Sequence, residues 1–134
     1  MRAVSIRQPG AAAVFARSGP FHLPCWRTDY RGPLLIHAAP RGPGDAAAGP
    51  SGGPVYGALL GVVELADCVE TAAAGGDPDE GGWAWVLCHA RAFARPVPHP
   101  GRSIGLFEVA DAVVADALAG AAPPGRAGAG KEGR

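Results

Sequence analysis

Apolar and polar positions alternate first over residues 3 to 7, "AVSIR", and this period of two predicts an opening strand. Pro9 then suits the first turn of a short helix through "GAAAVFAR", with Gly19 as its C-terminal stop. Residues 20 to 32 show no period and read as irregular. From Pro33 the alternation returns, with Leu34 and Ile36 on one side of a strand, Leu35 and His37 on the other, and an end by Pro40. Residues 40 to 54, "PRGPGDAAAGPSGGP", are too rich in Gly and Pro to pack and form a loop.

A long apolar stretch follows, "VYGALLGVVELADCV", with Leu60, Val62 and Glu64 on one face and Leu59, Gly61, Val63 and Leu65 on the other. Both faces are apolar enough to be buried, and Gly57 and Gly61 suit a coiled or bulged strand. "TAAAGGDPDEGG" is a second loop, and "WAWVLCHARAF" a strand with Trp83, Trp85, Leu87 and His89 on one face. "RSIGLFEV" supplies a further strand. "DAVVADALA" closes the chain as a short helix, with Val109, Val113, Ala117 and Leu118 at helical spacing. Several short strands with few helices and few hairpin signals predict an α+β fold, a small β-barrel with one or two short helices.

Composition narrows this picture. The 134 residues are enough for one core, and 21 Gly with 14 Pro keep its elements short. The net charge is zero, so no global field draws the protein onto nucleic acid or lipid, and any such contact must be local. Eleven of the twelve basic residues are Arg, and the one lysine, Lys131, lies in a terminal Gly/Ala run. A lysine nucleophile is thereby excluded from the folded part, since arginine stays protonated and can only bind. Three cysteines without a Cys-x-x-Cys pair and no leader pattern point to a reducing cytoplasm. No apolar run reaches the length of a membrane span.

Four blocks in order, "VSIRQP", "WRTDYRGPLLIHA", "YGALLGVVELADC" and "GLFEV", resemble the ASCH (activating signal cointegrator homology) domains of the PUA-like superfamily over most of residues 2 to 109. The domain is expected over 1–118, and the terminal Gly/Ala-rich run makes 119–134 a disordered tail. It implies a small barrel with a cleft that takes RNA or a modified nucleoside, in a family that includes ribonucleases and N4-acetylcytidine amidohydrolases. The chain departs from the family pattern at Gly10, where Trp is usual, and at Phe21, where the family's Gly-x-Lys-x-x-Glu-x-Arg signature has its lysine. The expectation is therefore a monomeric binder without catalysis, cofactor or metal. A hydrolase using Glu64, Tyr30 or Ser103 and a degenerate interaction module are the alternatives.

At the mouth of such a barrel Arg27, Thr28, Tyr30 and Arg31 would precede the second block's strand, with guanidinium forks for phosphate and Trp26 or Tyr30 to stack a base. The same residues equally suit a structural reading, in which Arg31 and Tyr30 brace the turn and Trp26 plugs the barrel end. Arg7 and Gln8 would add donors at the same mouth, although Gln8 also suits a helix cap, and Ser103 could meet a phosphate. Glu64, the acid within the apolar strand, is a candidate general acid or base if buried, or one half of a buried Glu–Arg pair. His37 reads as a satisfied core histidine. His22 with Cys25 has ligand-like spacing. Cys88 and His89 are adjacent, and strand alternation would send them to opposite faces, which argues against chelation.

Overall fold

The computed structural model describes residues 1–16, 19–40, 55–71, 82–102 and 105–121. Its elements are β1 (Arg2–Ile6), α1 (Gly10–Ala13), β2 (Phe21–Cys25), β3 (Gly32–Ala38), β4 (Ala58–Glu70), β5 (Trp83–Pro98), β6 (Phe107–Glu108) and α2 (Asp111–Ala119). The strands form one six-stranded sheet in the order β2-β5-β4-β3-β1-β6, so the fold is mixed α+β. β1 and β3 run parallel; every other neighbouring pair is antiparallel.

The sheet is open, and here the structure departs from the expected barrel. Closure would require β2 to pair with β6, but these are the two edges. β6 has only two residues, and Pro24 denies β2 one donor. The core also lies on both faces of the sheet. Leu34 and Ile36 join Val4, Val63, Leu65, Trp85 and Leu87 beneath Ala11 and Val14 of the α1 segment. Leu35 joins Ala3, Leu59, Val62, Phe93 and Val109 beneath Val114 of α2. The alternation read along 34 to 36 is thus real, and each face has its own helical cover. Among the described residues no helix is long and apolar enough to cross a membrane.

Several local expectations change. The first helix is a single turn, Gly10–Ala13. The stretch 20–32 contains an edge strand, β2, whose backbone pairs with β5 from Phe21↔Leu87 to Cys25↔Trp83. In α2 the buried position is Val114, and Val113 is exposed. β4 and β5 slip register between Leu59 and Gly61, between Val62 and Glu64, and between Leu65 and Asp67. β3 and β4 slip as well, with Ile36 opposite Gly61 and His37 opposite Leu59, so Leu60 is an extra residue that breaks the alternation and lets Leu59 and Val62, three positions apart, share a core. Gly61 is required at this crossing: a Cβ there would collide with the Arg91 carbonyl oxygen and lie 2.7 Å from the Phe15 ring. The long loops at 41–54 and 72–81, residues Ser103 and Ile104, and the tail from 122 lie outside the described residues.

Candidate functional site

The parallel register of β1 on β3 decides how the candidate residues are grouped. Ile6 lies opposite Ala38, so Arg7 and Gln8 emerge beside the end of β3, whereas Trp26 to Arg31 precede its start. Seven residues of strand, roughly 23 Å at the usual rise, separate the two groups. They do not share a mouth, because strand direction places them at opposite ends.

At the start of β3 the side chains are turned on their own chain. The Thr28 hydroxyl accepts the Tyr30 N–H at 3.1 Å, and the Tyr30 hydroxyl donates to the Pro33 carbonyl at 2.5 Å. Arg31 donates through Nη1 to the Thr28 and Tyr30 carbonyls at 3.0 and 2.8 Å, and its Nη2 lies 3.5 Å from Asp67. Arg27 meets Asp29 at 3.1 Å and stands over the Trp83 ring. Trp26 is 42% exposed, packs edge-on against buried Trp85, and accepts the Trp85 indole N–H on its carbonyl at 2.6 Å. Each arginine of this lip is therefore matched by a carboxylate. Burial pushes the nearby Cys25 thiol up to about 11, so it is protonated and inert at neutral pH.

The other end is built differently. Gln8 is fully used: its Nε2 donates to the Val55 carbonyl at 2.8 Å and its Oε1 accepts the Ala12 N–H at 2.9 Å, capping the α1 turn. Beside it opens a cavity of about 420 Å³ lined by Ser5, Arg7, Ala39, Pro40, Gly101 and Arg102. Two guanidinium groups and a hydroxyl are among its lining groups. Ser5 sits opposite His37 in the β1–β3 register, and its Oγ is 2.9 Å from His37 Nδ1. His37 Nε2 is 2.6 Å from the His99 carbonyl oxygen. A carbonyl only accepts, so Nε2 carries the proton and Nδ1 of the neutral ring accepts from the Ser5 hydroxyl.

Burial holds His37 below its ordinary pKa, partly opposed by the bond to the His99 carbonyl, so the ring is neutral at pH 7. The Arg102 N–H adds a third contact, 3.3 Å from Ser5 Oγ. Gly101 lies directly on this pair, and a Cβ there would collide with Ser5 Oγ and the His37 ring. His37 is the satisfied core histidine its pattern suggested, with both nitrogens bonded and Phe107 edge-on at 5.8 Å. Its coupling to Ser5 had no signal in sequence, since it depends on β1 pairing with a strand some thirty residues away.

Glu64 is exposed, and among the described residues its ion-pair partner is a histidine and not an arginine. It lies on the exposed side of β4 and accepts from His89 Nδ1 at 2.8 Å. Cys88 and His89 lie together, Sγ to Nδ1 at 3.8 Å, contrary to strand alternation. The reason is a bulge: Val62 pairs with Arg91 and Glu64 with Cys88, so β5 spends one residue more than β4 there, and His89 takes φ of +54°. His22 and Cys25, three apart on β2, do face opposite sides. Ser103 lies outside the described residues. No protein-family model matches the chain, and no curated protein matches it in sequence.

Proposed function

We propose that the chain is a divergent ASCH-like domain, its open sheet an unclosed counterpart of a PUA-like barrel, that binds RNA or a nucleotide through a phosphate group in the Ser5–Arg7–Arg102 cavity. One observation carries this reading: on a chain of zero net charge, the guanidinium groups of Arg7 and Arg102 line one cavity. Guanidinium forks match phosphate oxygens bidentately. The cavity lies past the carboxyl ends of the parallel β1–β3 pair, the position where open sheets with parallel strands commonly hold ligands. The Trp26–Arg31 lip is assigned a bracing role, because its guanidinium groups already meet carbonyls and carboxylates.

The test is a titration of the purified protein with a short single-stranded RNA bearing a 5′ phosphate, against the same RNA without it, at low and moderate salt. Saturable binding that needs the phosphate, weakens with salt, and falls by roughly tenfold in Arg7→Ala or Arg102→Ala is expected. Arg31→Ala should bind as wild type does. No saturable binding, or a loss confined to Arg31→Ala, would reject the cavity as the phosphate site.

A second reading has its own observation. Ser5 Oγ, His37 Nδ1 and the His99 carbonyl form a nucleophile, a base and a group that orients the base, at 2.9 and 2.6 Å. In this reading the protein hydrolyses an ester or N-acyl bond on a ligand held by the two arginines. A serine-reactive fluorophosphonate probe separates the readings: labelling lost in Ser5→Ala favours the hydrolase, and absence of labelling leaves a binder.

A further inference from the structure

We propose that Glu64, Cys88 and His89 form a binding site for a zinc-class divalent cation on the bulged β4–β5 ladder. One ligand atom from each residue lies within 4.8 Å of the others, and the three donors are a carboxylate oxygen, a thiol sulfur and an imidazole nitrogen. This donor mix suits a borderline-soft cation such as Zn²⁺ and is poor for Mg²⁺ or Ca²⁺, which take oxygen. Ordinary zinc bond lengths at tetrahedral angles place sulfur and nitrogen ligands roughly 3.6 Å apart and nitrogen and oxygen ligands roughly 3.4 Å apart. Cys88 Sγ and His89 Nδ1 are already at 3.8 Å, and His89 Nδ1 and Glu64 Oε1 at 2.8 Å. The second pair must open by about 0.6 Å, and the cation then takes the position between them that a proton now holds.

The backbone explains why two consecutive residues serve one site. Regular pleating would send Cys88 and His89 to opposite faces, but the extra residue in β5 and the positive φ of His89 bring both to the same side, toward Glu64. Among the described residues His89 is the one non-glycine with positive φ. Such a conformation costs free energy and is found where surrounding structure or function holds it. Three protein donors leave at least one coordination position open, and a cavity of about 270 Å³, lined by Glu64, His89 and Arg91 among others, adjoins it. Glu64 pairs with Pro33 near the start of β3, so this site is remote from the Ser5–Arg7–Arg102 cavity and does not depend on that assignment.

Titration of the full chain with Co²⁺ tests it, following the near-ultraviolet thiolate-to-cobalt absorption band. A band that saturates at one equivalent, disappears on adding Zn²⁺ or a chelator, and is missing from Cys88→Ser is expected, even though Cys25 and Cys68 remain. Glu64→Gln and His89→Asn should weaken binding by roughly tenfold or more; Asn is chosen because it tolerates positive φ. Absence of the band in wild type, or its survival in Cys88→Ser, overturns the site. Should Cys88→Ser fail to fold by circular dichroism, Glu64→Gln decides, because that carboxylate is exposed: unchanged cobalt affinity in it also overturns the proposal.

Discussion

The two ends of the β1–β3 pair use the same residue types for different ends. At the start of β3, Arg27 and Arg31 are held against Asp29, Asp67 and two backbone carbonyls, and Trp26 and Trp85 pack edge to face. At its end, Arg7 and Arg102 line a cavity with Ser5. Arginines near aromatics are therefore a poor guide to where an anion binds. A guanidinium whose charge and donors are already matched adds little attraction for a phosphate.

On the proposed reading the first end is a stability element and the second a binding element, and substitutions should separate them. The largest effect is expected from Trp85→Ala. It removes a fully buried indole and the 2.6 Å bond to the Trp26 carbonyl, and should cost about 3–5 kcal/mol in urea unfolding. Retained stability in this variant would break the comparison at its structural end. Next comes Gly101→Ala, whose new methyl would press on Ser5 and His37. It should cost about 1–3 kcal/mol, as overpacking does, and should also abolish binding of a 5′-phosphorylated RNA measured by fluorescence anisotropy. Binding equal to wild type would show that the ligand does not enter there.

Arg31→Ala should be milder, about 1 kcal/mol of stability for the two lost charge-assisted bonds at an exposed position, with RNA affinity unchanged. A tenfold affinity loss with unchanged stability would exchange the roles of the two ends. The smallest effect is pH dependence at His37. Its folded pKa lies below the ordinary value of about 6.5, so the unfolded chain takes up the proton first. The stabilisation is complete above about pH 6.5 and is lost as pH falls through the folded value. The urea midpoint of wild type should therefore approach that of His37→Gln on acidification below pH 6.5. A gap that widens instead would mean that the native ring is charged.

Much of the fold was legible because it depends on local pattern. The helix over "DAVVADALA" is α2, Asp111–Ala119, and the alternation along Leu34, Leu35 and Ile36 assigns each side chain to its observed core. Edge strand β2 was not legible. Pro24 and exposed His22 interrupt its pattern, and its stability comes from pairing with β5. Barrel closure was wrongly expected for a related reason: strand count is readable, whereas which strands meet is not, and here both faces of the sheet carry core.

The sequence alone determined the α+β class, the faces of β3, the absence of lysine from positions before 131, and the neutral balance that makes any anion contact local. Tertiary structure alone decided the candidate sites. Parallel pairing of β1 with β3 carried Arg7 away from Arg31 and set Ser5 against His37. A single extra residue in β5 turned Cys88 and His89 toward Glu64. The physical reason is the same in both cases. Side-chain period is a property of one strand, but register, direction and bulges belong to pairs of strands, and they are fixed only when distant segments share hydrogen bonds and a common core.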